Sequence, residues 1–323
     1  MEHKPETKLE KLLRGRAEGT AIALRGCEPA LLEALRARFG GDCPLPLRLF
    51  EPCRVEHPHS AFLRKATEQG GTQALQTTLF APGGKLHELR AEEWQPKEYF
   101  IKKPQDFDVL RGFLRDVELH PCKAQPHQEG AASLALLGLT PTRELETRWA
   151  GPDLARRALE SADEAAASCL RKLERQLHRR AEEACRAGAR ACVLRDGAAL
   201  PLPEDWLGEA ARHTEWLHKA GLYPWFEIAA PTAALFAELA QTQAGAMLPL
   251  ADALAEGFPA LPAGVRLLLE MDLTAGLPES DGLKRLLYEC RCAVLLLDCR
   301  EADGEQLVAV VEGLLPLAGA ANS

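Results

Sequence analysis

Short apolar runs alternate with segments of helical period along most of the chain. Ala132–Leu137, Ala191–Leu194, Tyr223–Ile228, Ala246–Leu248, Val265–Met271 and Ala293–Asp298 read as strands. Ala162–Ala187, Glu204–Ala220, Thr232–Gln241, Leu250–Glu256, Asp281–Cys290 and Gly304–Ala318 read as the helices that follow them. Pro203–Glu204–Asp205 opens one of these helices and Gly221 is placed to end it. The first half is less regular. A charged helix covers residues 1–18, Thr20–Leu24 is a strand, and Pro29–Phe39 is a helix stopped by Gly40–Gly41. From Asp42 to about Gly71 the pattern weakens. Thr77–Phe80 and Lys85–Leu89 form a hairpin about Ala81–Gly84, and Pro104–Arg115, Thr142–Trp149 and Asp153–Leu159 are helices.

Strands that alternate with helices in this way form parallel βα units. Five units in the second half, with two or three before them, predict an α/β fold. A closed (β/α)8 barrel of the TIM type, with parallel strands alternating with helices, fits this count better than an open sheet, with a doubly wound sheet as the alternative. No Gly-x-Gly-x-x-Gly follows a strand, so a dinucleotide fold has no support. The expected division is an N-terminal helical and irregular segment, 1–75, that is part of the barrel or covers it, followed by the barrel proper, 76–323.

Composition narrows the class. Aromatic residues are only 6% while Ala and Leu dominate, which favours helices packed on a sheet over an all-β sandwich. The net charge is −8 and no basic stripe is interleaved with aromatics, so no nucleic-acid partner is expected. The basic run Arg171–Arg180 lies in a Glu-rich helix and reads as a solvated face. The apolar runs are too short to cross a bilayer, and the N-terminus lacks a secretory apolar segment, so a cytoplasmic protein with no membrane partner is expected. Ten cysteines are scattered without a Cys-x-x-Cys pair, which reads as free thiols.

Candidate chemistry lies where the strands end. Asp196, Glu227, Glu270, Asp272 and Asp298 all stand at such ends. In a parallel barrel those ends converge on one mouth. Crowded carboxylates raise one another's pKa, giving a general acid or base near neutrality, or they hold a hard divalent cation. An Asp at such a place also serves as a helix cap or closes an Asx-turn. Arg195 and Arg300 flank two of the acids and Arg143 follows another strand; alternation points Arg195 away from Asp196, toward the helix layer. His218 sits late on a helix, where capping competes with ligand contact. Trp225 stands where it either fills a gap or stacks on a planar ligand at the mouth.

Several segments together resemble the uroporphyrinogen decarboxylase superfamily, which includes corrinoid-linked methyltransferases. They are Thr77–Gly84 (TTLFAPGG), Glu98–Leu110 (EYFIKKPQDFDVL), Trp149–Gly151 and Ala187–Gly221. The likeness spans roughly residues 75–320, and in it Asp196 falls on a strand-end Asp while His218 and Gly221 fall on a His-x-x-Gly. The resemblance implies a TIM-type barrel that binds a tetrapyrrole- or corrinoid-related small molecule at its mouth. The chemistry it implies is decarboxylation (a lyase) or methyl transfer, with a corrinoid protein as a partner in the second case. Two departures accompany it. The Arg-Gln-Ala-Gly-Arg loop that holds substrate carboxylates is absent, and Glu227 and Ala229 stand where the methyltransferases place a zinc-binding His-x-Cys. Zinc is therefore not expected, and no other cofactor or metal is assigned. On this reading Asp196, Glu227 and Asp272 are the catalytic candidates; His218, Trp225, Glu270, Asp298 and Arg300 bind substrate. Two alternatives stay open: a barrel that has lost catalysis and acts as a binding or partner protein, and a divalent-metal enzyme built on the carboxylates.

Overall fold

Eight parallel strands close into a barrel in the computed structural model, which describes residues 6–69, 72–91, 96–122, 131–196, 206–273, 280–290, 292–300 and 303–320. The strands are β1 (Gly19–Arg25), β2 (Leu45–Phe50), β3 (Ala132–Gly138), β4 (Ala191–Leu194), β5 (Tyr223–Glu227), β6 (Gly245–Pro249), β7 (Leu267–Asp272) and β8 (Cys292–Asp298). Each pairs in parallel with its neighbours in chain order, and β8 returns to β1 with Arg25 opposite Asp298. This is the (β/α)8 TIM-type architecture. The barrel unit's helices are α1 (Lys8–Leu13), α2 (Pro29–Phe39), α3 (Trp206–Ala220), α4 (Ala233–Thr242), α5 (Leu250–Ala253), α6 (Ser280–Glu289) and α7 (Gly304–Ala320). The residues proposed to open α3, 203–205, lie outside the described residues.

Alternation explains the interior. Ala23, Leu47, Leu134, Val193, Trp225, Met247, Leu268 and Leu296 form one inward-facing cluster, while their sequence neighbours face the helices. One end is closed by α1, which starts in a capping box between Thr7 and Glu10. Leu9, Leu12 and Leu13 pack on Tyr223 and Trp225, and the Trp225 indole N–H donates to the Leu13 carbonyl at 3.0 Å. Each of these leucines contributes about 1.5–3 kcal/mol by leaving water. Because the chain enters β1 directly from this helix, α1 marks the N-terminal end of the strands, opposite the mouth.

The remaining residues make a second compact unit, Cys53–Cys122 with Leu139–Glu183. It holds an antiparallel sheet of Ala61–Gln69, Thr72–Ala81, Gly84–Ala91 and Pro96–Glu98, and a ribbon of Cys53–Glu56 with Glu118–Pro121. Helices Asp106–Arg115 and Pro152–Glu160 and most of Glu164–Arg186 complete it. Phe107, Leu110, Phe113, Leu145 and Trp149 form its core. Two sequence expectations change here. The irregular stretch 42–71 contains strands, and residue 75 lies inside Thr72–Ala81, so the two units are interleaved along the chain instead of meeting at 75/76. The expected helix Thr142–Trp149 is helical from Pro141 to Glu144 and then widens to π geometry over Leu145–Ala150, ending at Gly151 with φ +73°. Among the described residues no helix is long and apolar enough to cross a membrane.

Candidate site at the mouth of the barrel

The inward phase that places Ala23, Val193, Trp225, Leu268 and Leu296 in the core continues, two residues on, to Arg25, Arg195, Glu227, Glu270 and Asp298. The C-terminal rim is thus a layer of charges. They are paired. Arg25 donates from Nη1 to Glu270 at 2.6 Å and from Nη2 to Asp298 at 2.5 Å. Arg300 also engages Asp298, with Nε 2.9 Å from Oδ1 and its Nη2 sharing Oδ2 with Arg25. Arg195 donates from Nε to Glu227 at 2.7 Å and lies within electrostatic reach of Glu270. Charge-assisted contacts of this kind are roughly twice as strong as neutral ones and fix the orientation of the guanidinium.

The pairing sets the electrostatics of Asp298. The Arg300 hydrogen bond first, opposed by burial and then helped by Arg25, holds the Asp298 carboxyl well below the usual carboxylate range. A carboxylate so held accepts no proton near neutrality, so the raised acid expected from crowding is not found at Asp298. Glu227 holds the Arg195 guanidinium more firmly charged than usual. Arg25 Nε is buried and has no hydrogen-bond partner.

Other expected site residues lie elsewhere. Asp196 is 0% exposed and accepts from the Trp206 indole N–H at 2.7 Å, so it faces α3. The expected orientation of the Arg195–Asp196 pair is therefore inverted: Arg195, 55% exposed, joins the mouth and Asp196 joins the helix layer. The reason is phase, since β4 is buried on both faces and its apolar run does not reveal which face is inward. Trp225 is also inward, but one layer deeper than the mouth, bonded to α1 and closed to any stacked ligand. His218 lies on α3, within 3.1 Å of the Gln243 carbonyl at the end of α4. Asp272 ends β7 opposite Asp298 and is exposed. Arg300 and Asp298 are together at the rim, as are Glu270 and Glu227. Arg143 belongs to the second unit, where it pairs with Glu146 at 3.0 Å and both are buried.

Among the described residues no group of three or more His, Cys, Asp or Glu is placed to hold a metal ion. Glu227, Glu270 and Asp298 face arginines instead. Sequence reading missed Arg25. It ends the strand that begins the barrel and shares the inward phase of the acids, so a scan of strand ends for bases as well as acids would have found it.

No protein-family model matches the chain and no curated protein matches it. Among solved structures it is similar to a methyltransferase from Methanosarcina mazei, with TM-score 0.46 and 9% identity over 98% of both chains. It is also similar to an N-acetylneuraminate lyase from Fusobacterium nucleatum, with TM-score 0.31 and 8% identity over 69% of this chain and 64% of that one. Likenesses this loose do not bear on activity; the barrel stands on its own strand register.

Proposed function

We propose that the protein binds an anionic small molecule at the barrel mouth, with Arg195 as the group that takes its carboxylate. One observation carries this reading. Arg195 is anchored through Nε by Glu227 on a side chain that is 55% exposed, and among the described residues its Nη pair has no hydrogen-bond partner. A guanidinium pre-oriented on one edge and open on the other is suited to bidentate capture of a carboxylate. The resemblance to the uroporphyrinogen decarboxylase superfamily makes a carboxylated tetrapyrrole the first ligand to try.

The same residues favour binding without the family's turnover. Asp196, where the resemblance places a substrate-positioning carboxylate, is engaged by Trp206, and Asp298 is held ionised. Glu227 and Ala229 replace the zinc-binding pair. The test is titration with uroporphyrin, followed by porphyrin fluorescence and melting temperature. Wild type is expected to be stabilised, by about 2.7 kcal/mol at a ligand concentration of 100 Kd. R195A is expected to bind at least ~10-fold more weakly, the loss of one charged hydrogen-bonding group. Uroporphyrinogen is expected to yield no coproporphyrinogen. Equal affinity in R195A would remove the proposal. One zinc per chain by elemental analysis would restore the methyltransferase reading.

A further inference from the structure

We propose that Cys27 and Cys299 form a reversible disulfide at the barrel rim, so that this pair is a thiol-modification site. β1 and β8 run side by side to Arg25 and Asp298, and pairing continues one step, the Cys299 N–H donating to the Arg25 carbonyl at 2.8 Å. Gly26 then turns the chain at φ +70°, and a Cβ there would come 2.4 Å from Arg300 Cγ. Glycine therefore serves both the turn and the close approach. The turn sets Cys27 beside Cys299 on the adjacent strand end, close enough for each thiol to act on the other electrostatically; Cys27 Sγ donates to the Glu28 carbonyl at 3.6 Å and Cys299 Sγ to the Leu297 carbonyl at 3.5 Å. Both are free thiols; Cys299 is 5% exposed and Cys27 half-buried. A disulfide needs Cα atoms within about 7 Å of each other, a spacing that adjacent strand ends provide, and it forms when both side chains rotate off their carbonyl acceptors.

The oxidant is a low-molecular-weight disulfide. The Cys27 thiol, the more accessible, loses its proton and attacks one sulfur of the oxidant, which stays bound as a mixed disulfide while the other sulfur leaves and takes up a proton to become a thiol. Cys299 then loses its proton and attacks Cys27 Sγ, expelling the second half of the oxidant as a thiol. Two protein S–H bonds and one S–S bond break; one protein S–S and two S–H bonds form. Burial pushes both thiols up, Cys299 to about 12, so the pair rests as thiols at neutral pH and reacts faster as pH rises. The cross-link would tie β1 to β8 beside Arg25, Asp298 and Arg300, and its closed loop takes in most of the chain, the case in which loop entropy gives most stabilisation.

The test incubates the full chain with oxidised glutathione at mildly alkaline pH, blocks remaining thiols, and maps peptides by mass spectrometry. The expected result is a peptide joining Cys27 to Cys299, released by dithiothreitol, with a rise of a few degrees in Tm over the reduced protein. C27S, a change at the half-buried position, is expected to melt like reduced wild type and to lose both the cross-link and the rise. Glutathione retained on Cys27 with Cys299 unmodified would overturn the proposal. So would a bond from Cys27 to Cys43, the other half-buried thiol in its neighbourhood, or no modification of either residue.

Discussion

Asp298 shows how single residues set the character of the mouth. It accepts from both Arg25 and Arg300, and its carboxyl is held below its ordinary value of 3.8. A group with a depressed folded-state pKa stabilises the fold above its unfolded value. That contribution is lost as pH falls through the folded value. D298N is therefore expected to lower stability at pH 7 by roughly 1.5–3 kcal/mol, the scale for hydrogen bonds to a charged group. The gap to wild type should narrow as pH falls below about 4. Urea unfolding of both proteins at pH 7 and pH 3 measures this, and an unchanged gap would mean that Asp298 is not ion-paired in solution. The acids at the strand ends were legible in the sequence because each terminates an apolar run. Arg25 was not, since it is joined to Glu270 only when the barrel closes across 245 residues of chain.

At the level of elements, β5 and β6 depend on a size match. Gly245 opens β6, and a Cβ there would meet Cε3 of the Trp225 ring at 2.3 Å. The ring cannot retreat, because it is fully buried and its N–H is held by α1. G245A is expected to destabilise the protein by roughly 1–3 kcal/mol, the usual cost of overpacking a core. A melting curve equal to wild type would show that Trp225 does not pack over β6 as described. The strands of the second half were readable to within a residue or two, for example Tyr223–Glu227 against the expected Tyr223–Ile228. Their phase was not. In Ala191–Leu194 all four residues are buried, so hydrophobicity is the same on both faces and Arg195 was assigned the wrong side.

For the whole molecule, the arginines determine what the ring of acids does. Carboxylates engaged by guanidinium groups offer few free lone pairs to a hard cation. Millimolar Mg2+ or Mn2+ is therefore expected to leave the melting temperature unchanged, within about 1 °C, in wild type. A clear rise, abolished in D272N, would show a divalent-cation site and revive the metal-enzyme reading. The interleaved second unit was the least legible part of the fold. Ala61–Gln69 alternates poorly in hydrophobicity and is exposed along most of its length, so only its partner strands carried a signal.

The sequence by itself determined the succession of strands and helices, their parallel direction and hence the barrel, because apolar runs and helical periods are local properties of the chain. It also located the acids at strand ends. Only the tertiary structure decided which face of each strand turned inward and which charges met. Those outcomes depend on register between segments far apart in sequence, and a run buried on both sides leaves no local mark of its phase.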